Sequence, residues 1–493
     1  MGALAVIAVG YAKSSSTPTK SIPVSGPGRS VEGGPIVSSL PDGPRQPYFV
    51  QLARWILTPY SFLEDCARRY GDPFTMRLKK TTPYVFFSHP EAIQQIFSAD
   101  ADRFDAGRAN AVLRPLVGDN SIALLDGEQH QRQRRLLLPP FHGQRVKQYA
   151  RIIHNVAHDV ARQWQPGQRL VARSVMQEIA LRVILHAAFG LSEGERYSSI
   201  KAAITQMLAM TASPLHSSAL FFGFLQQELG GLSPWGRMVR QRQRIRELLQ
   251  AEIEERRAQP QRQGNDILSL LLSAQDEDGR PMSDLEIQDE MLTLLFAGHE
   301  TTANSLAWAL YWPHWQPAVL ERLRAELDAL GPEPDLMEVA QLPYLSAVCN
   351  EALRLYPAAP MAFGRYLNAP MEIMGRRYEA DTLIGASIYL THRRADLYPQ
   401  PEQFRPERFL EREYSSYEFI PFGGGNRRCV GAALASLEMK LVLAALVQHY
   451  EFELAEQRPV QPQRRGITVA PAGGIKMTVR GRRKQPAPQA VNA

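Results

Sequence analysis

Cysteine is scarce in this 493-residue sequence: Cys66, Cys349 and Cys429 are the three, far apart and with no Cys-x-x-Cys spacing. Neither a zinc site built on paired thiols nor a disulfide framework fits that count, whereas a reducing compartment, in which a lone thiolate survives as a ligand, does. Long apolar runs are also missing. Met1 to Ala12 covers only about half of the ~20 residues a spanning helix needs. Lys13 and Lys20 follow this run, where a secretory signal would place its charge ahead of it. We therefore expect no integral membrane anchor and a cytoplasmic location. The formal charge of +6 is scattered, without a basic patch interleaved with stacking aromatics, which argues against nucleic acid as a partner. No change of composition marks an internal linker.

What is present suits a large globular core: 44% of residues are hydrophobic and 22% charged. Residues 1–44 end in a Ser-, Pro- and Gly-rich stretch and read as a disordered leader, residues 45–480 as one domain, and residues 481–493 as a disordered tail. Helical spacing runs from Gln51 to Tyr70, with Cys66 on its apolar face. Two β-like runs follow, Thr75 to Leu78 and Tyr84 to Phe87, then a helix opened by Pro90 and an aperiodic stretch from Asp100 to Ser121. Asp126 to Leu138 reads as a helix with His130 and Arg134 on one face.

The chain is organised around Phe422-Gly423-Gly424-Gly425-Asn426-Arg427-Arg428-Cys429-Val430-Gly431. Three successive glycines remove every Cβ from the approach, so backbone can lie flat against a large planar ligand and take positive φ. Cys429 leads into Ala432 to Glu438, a strong helix former, which places its sulfur near a positive helix end and favours thiolate. A phosphate loop would need Gly-Lys-Ser/Thr, and a dinucleotide loop a third glycine where Arg428 stands. A buried structural thiol is the remaining alternative. A second centre is a long helix opened by the capping box of Ser283 and Glu286 and expected to stop near Trp312, ahead of Pro313. Its apolar middle, Met291 to Ala297, is interrupted by Gly298-His299-Glu300-Thr301-Thr302, and charge inside an apolar helix is costly unless partnered or used.

The cysteine loop resembles the haem-ligand signature of the cytochromes P-450, Phe-x-x-Gly-x-Arg-x-Cys-x-Gly, at Phe422, Gly425, Arg427, Cys429 and Gly431. A chance match to five fixed positions is on the order of one in ten thousand. Ala297-Gly298-x-Glu300-Thr301-Thr302 resembles the family's oxygen-activating motif, and Glu351-x-x-Arg354 its Glu-x-x-Arg element. The likeness runs from about Leu40 to Arg480, with the motifs in the family's order. It implies a mainly α fold with small β-sheets (α+β), a single large domain holding haem b (iron protoporphyrin IX) between the long helix and the cysteine loop. On the same resemblance Cys429 is the metal ligand, and Phe422, Gly423, Gly431 and Ala297 lie against the haem. His130, Arg134, Arg365 and Arg427 meet its propionates. Glu300 and Thr301 relay protons to bound dioxygen, with Thr301 bonding the Ala297 carbonyl and Gly298 letting the helix pass close. Glu351, Arg354 and Arg408 form a buried ionic lock. Pro357 to Phe363, and a hairpin turned by Pro471-Ala472-Gly473-Gly474, lie on the substrate side. The region His142 to Arg257, with apolar stretches Met207 to Met210 and Leu220 to Leu225, caps the pocket.

The function that follows is haem-thiolate monooxygenation of a small lipophilic substrate, such as a fatty acid, alkane or terpenoid, by a monomer. The rivals are a peroxide-driven peroxygenase and a non-catalytic haem-based binder or sensor. No flavin or iron–sulfur segment is visible, so electrons are expected from a separate ferredoxin or flavodoxin with its NAD(P)H reductase. Arg132, Arg135, Arg145, Lys147 and Arg428 are the expected basic docking face.

Overall fold

The computed structural model describes residues 40–212, 226, 233–259, 264–331 and 334–483. The apolar stretch Leu220 to Leu225, most of the expected leader and the tail from residue 484 lie outside the described residues. At both ends ordered structure runs past the expected domain limits. The Asp42 carbonyl accepts from the Thr75 amide at 3.0 Å, and the last strand continues through Arg482, with Arg483 paired to Asp328.

The N-terminal helical run is two helices, Tyr48–Leu57 and Pro59–Tyr70, because Pro59 has no N–H to continue the first and starts the second instead. Cys66 and Cys349 are buried core residues. The two β-like runs form Phe74–Arg77 and Pro83–Phe87, and Pro90–Ser98 is helical. These two strands begin a five-stranded sheet completed by Leu383–Ala386, Arg365–Leu367 and Phe104–Asp105, in that order. Pro83–Phe87 and Leu383–Ala386 pair in parallel, and the other neighbours are antiparallel. The stretch expected to be a loop, Asp100 to Ser121, instead contains short helices at Ala106–Ala109 and Arg114–Val117, whose one-turn lengths leave no readable period.

Helices carry the main core. The longest, Asp284–Trp315, opens with both halves of the Ser283/Glu286 capping box in place and has polar and apolar side chains alike buried along its length. It packs against Ala172–Phe189 on one side and Ala432–His449 on another. Pro313 does not end it. The missing N–H forfeits one helical bond, but Trp312 stacks on Phe404 at 5.0 Å and Tyr311 on Trp315 at 5.7 Å, and this packing carries the helix one turn further than expected. Ala432–His449 is long and apolar enough to cross a membrane, and it is a core helix here.

Candidate active site

The cysteine loop is a tight turn pressed against the end of Pro90–Ser98. Gly423 and Gly425 take φ of +66° and +64°, a region that favours glycine, and the Cys429 amide closes the turn on the Phe422 carbonyl at 3.0 Å. A Cβ on Gly424 would stand 2.1 Å from the Phe97 ring, and one on Gly425 would stand 2.3 Å from the Phe97 carbonyl. Two of the three glycines therefore make room for Phe97 rather than for a flat ligand. Gly423 and Gly431 keep open approaches, with nothing within 4 Å of a Cβ on Gly431.

Cys429 is accessible at its surface yet ringed by protein. Burial raises its thiol above the ordinary range, outweighing the Gly431 amide and the charges of Arg134 and Arg428, which lower it. Burial thus opposes the thiolate that the nearby helix end is expected to favour.

His130, Arg134, Arg365 and Arg427 are brought together from three distant parts of the chain. Burial pushes His130 down to about 3, helped by Arg427, Arg134 and Arg365, so the ring is neutral and its Nδ1 has no hydrogen-bond partner. Arg427 bonds Asp126 and donates to the Ile122 carbonyl at 3.1 Å. Arg365 is buried between the Phe97 and Phe104 rings and donates to the carbonyls of Ile96 at 2.8 Å and Gly424 at 3.2 Å. Its Nε is unpartnered, and burial lowers the guanidinium to about 10. Among the described residues Asp126 is the only carboxylate bonded to these three arginines, so two cations lack a counter-charge. Buried cations persist only when paired. A planar group with two carboxylates, as haem has, fits both the excess charge and the orphaned nitrogens.

Glu351 and Arg354 are fully buried on Pro343–Leu355 and joined through two bonds of 2.7 and 2.8 Å. Arg408 reaches the same carboxylate at 3.1 Å, and the Arg405 amide does so at 2.8 Å. Both guanidiniums spend their remaining donors on carbonyls between Pro399 and Gln403, with Arg354 also reaching His392. Every charge in this group is met, which is the condition for keeping it buried.

On the long helix Ala297 is exposed although Leu295 and His299 near it are buried, and the Thr301 hydroxyl donates to the Ala297 carbonyl at 2.5 Å. Gly298 faces elsewhere. A Cβ there would stand 3.3 Å from Ile184, so its smallness serves the packing of Ala172–Phe189. That same helix holds Glu300: Arg173 bonds one carboxylate oxygen and Gln177 the other, each at 2.6 Å. His299 shares a bond of 3.1 Å with the Gln177 carbonyl. Arg173, Gln177 and Asp126 were not anticipated as site residues. Nothing local in the sequence marks an arginine over a hundred positions away as the partner of Glu300.

Two expected surfaces are rearranged. The C-terminal hairpin pairs Pro462–Arg465 with Thr468–Pro471 and turns at Gly466-Ile467, whereas Ala472–Gly474 is a separate short turn. The positive φ of Gly466 permits that tight reversal. Arg132 belongs to no open basic face: it bonds Asp276 at 2.6 Å and Glu286 at 2.8 Å, and Arg135 stands 3.4 Å from Glu277. Lys147 and Arg428 remain exposed.

The sequence model of the family described as Cytochrome P450 matches residues 41–479. Among curated relatives, a Mycobacterium tuberculosis protein named cytochrome P450 135B1 is 35% identical over 445 residues, covering 90% of this chain and 92% of the relative. A second from that organism, named cytochrome P450 137, is 33% identical and covers 84% of each chain. Among solved structures, one titled "Retinoic acid bound cyanobacterial CYP120A1" superimposes with a TM-score of 0.76 at 26% identity, covering 90% of this chain and 99% of the other. The haem domain of another cytochrome P450 shows the same fold, with a TM-score of 0.78 at 24% identity.

Proposed function

Because the chain belongs to the cytochrome P450 family and is a haem-dependent monooxygenase of that family, we propose that it inserts oxygen into a lipophilic substrate, fatty acyl or terpenoid before alkane, with electrons from a separate ferredoxin or flavodoxin system. The retinoic acid named for the cyanobacterial relative supports an apolar substrate class. We place the enzyme in the cytoplasm as a monomer.

Haem, when bound, supplies the oxygen activation, and a cysteine thiolate on its iron favours O–O cleavage. Cys429 holds the iron. Arg134, Arg365, Arg427 and His130 would hold the haem propionates, and Phe422, Gly423, Gly431 and Ala297 would lie against the haem. Glu351, Arg354 and Arg408 brace the loop and do no chemistry. The Thr301 hydroxyl would turn its donor bond from the Ala297 carbonyl toward the pocket, and Glu300, held by Arg173 and Gln177, would take up a proton from solvent and return it to Thr301.

The observation that carries this reading is the Thr301–Ala297 hydrogen bond one residue from a carboxylate held by two side chains. A peroxygenase or passive haem binder has no use for such a pair. The test is Thr301→Ala. The reduced variant under carbon monoxide should keep the strongly red-shifted Soret band of thiolate-ligated haem, while reducing equivalents are diverted from product to peroxide. Tight coupling in this variant would remove the relay.

A further inference from the structure

Arg173 does not end at Glu300. Its Nε donates to the Asn304 side-chain carbonyl at 2.9 Å, and the Asn304 amide nitrogen donates to the Thr468 hydroxyl at 3.2 Å. Asn304 is fully buried, and Arg173 and Thr468 are nearly so. A buried asparagine loses desolvation energy that an apolar residue would not, unless its amide is satisfied at both ends, as it is here. Asn304 lies four residues after Glu300, one turn along the helix, so a single arginine spans both.

Thr468 opens the second strand of the C-terminal hairpin. The next residue, Val469, donates its amide to the Ala358 carbonyl at 2.9 Å, which fastens the hairpin to the segment between Pro357 and Phe363. Each of these two segments carries a large apolar side chain left open: Phe363 is 44% and Ile467 is 36% exposed. At the neighbouring residues Thr468 and Val469 the hairpin is thus held both to the segment between Pro357 and Phe363 and, through Asn304 and Arg173, to the acid on the long helix.

We propose that Asn304 and Thr468 are positioning residues that tie the Glu300 carboxylate to the hairpin, so that an apolar substrate lodged against Ile467 and Phe363 sets where Glu300 stands. This rests on the reading of Glu300 as the proton supplier. The path is Thr468 to Asn304 to Arg173 to Glu300, and each link is a direct hydrogen bond. Hydrogen bonds chained in this way inside a protein polarise one another, so a change at one end is felt at the other.

The experiment compares Glu300→Gln, Asn304→Asp and Thr468→Val in the haem-loaded enzyme with a fatty acid that turns over. Asn304→Asp offers Arg173 a competing carboxylate, and Thr468→Val removes the anchor of the Asn304 amide with little change of volume. Both should raise the share of reducing equivalents released as peroxide, by about fivefold for the loss of one ordinary hydrogen bond. Both should also move the Glu300 carboxylate band, identified by its absence in Glu300→Gln, in the infrared spectrum of the resting protein. If Glu300→Gln diverts electrons to peroxide but neither other variant changes the peroxide share or the band, the coupling is refuted and the role of Glu300 stands. If Glu300→Gln itself leaves coupling intact, the proton-supply reading fails and the coupling fails with it.

Discussion

Replacing Arg365 with Met separates what this arginine does for the fold from what it does for the cofactor. Burial holds its guanidinium down to about 10 from 12.5, a disfavouring of its charge by about 3 kcal/mol. Against this stand two hydrogen bonds, to Ile96 and Gly424, each contributing about 1 kcal/mol, and contacts with Phe97 and Phe104. The terms nearly cancel. Methionine keeps the apolar stem, so the haem-free variant should unfold within about 1 kcal/mol of its parent. With haem bound, the substitution removes one partner of a buried charge pair, which costs about 3–5 kcal/mol, or about two to four orders of magnitude in haem affinity. Haem loss to an excess of a scavenging apoprotein, followed by absorbance, measures the second quantity, and denaturant unfolding of the haem-free protein measures the first. Equal destabilisation of both forms, or unchanged haem loss, would refute the view that Arg365 waits for a carboxylate.

Glu351→Gln should cost about 3–5 kcal/mol, since it leaves Arg354 and Arg408 buried without a counter-charge; a denaturation midpoint within experimental error of the parent would contradict this. Glu438 is buried on Ala432–His449 with an unpartnered oxygen, and burial alone pushes it up to about 8 from 4.5. A folded pKa above the unfolded one means that this group's stability is fully present below 4.5 and is lost as pH rises to about 8, at about 1.4 kcal/mol per pH unit. Glu438→Gln should remove that slope, so urea midpoints for parent and variant should diverge across the window, and parallel curves would dismiss the claim. With Arg132 committed to Asp276 and Glu286, reduction by an acidic redox partner should be slowed by Lys147→Glu and be insensitive to Arg135→Glu; stopped-flow reduction at several salt concentrations distinguishes the two.

Features held within a few residues were readable from the sequence. The capping box at Ser283 and the strands at Phe74 and Pro83 depend on local spacing, and each stands within a residue or two of its expected place. The trio Glu351, Arg354 and Arg408 was legible only through the family resemblance, since spacing alone does not join Arg408 to the other two. What escaped was decided by neighbours distant in the chain. Gly424 and Gly425 answer to Phe97, Gly298 answers to Ile184, and Arg132 answers to Asp276. The helix crossing Pro313 belongs to the same class, because only the packed aromatics around it outweigh the missing amide. The hairpin tip was misplaced because Gly473-Gly474 offered a stronger glycine signal than the single Gly466.

The parallel pairing of Pro83–Phe87 with Leu383–Ala386 joins segments three hundred positions apart, and Phe104–Asp105 is reached only through Arg365–Leu367. During synthesis the first two strands therefore leave the ribosome long before their neighbour exists. Until then Pro83–Phe87 presents an open edge of Tyr84, Val85, Phe86 and Phe87, the kind of edge that recruits other chains. High contact order of this sort slows folding and lengthens that exposure. The yield of soluble protein should therefore depend on how quickly the chain passes residue 386 and on whether a chaperone covers the early strands.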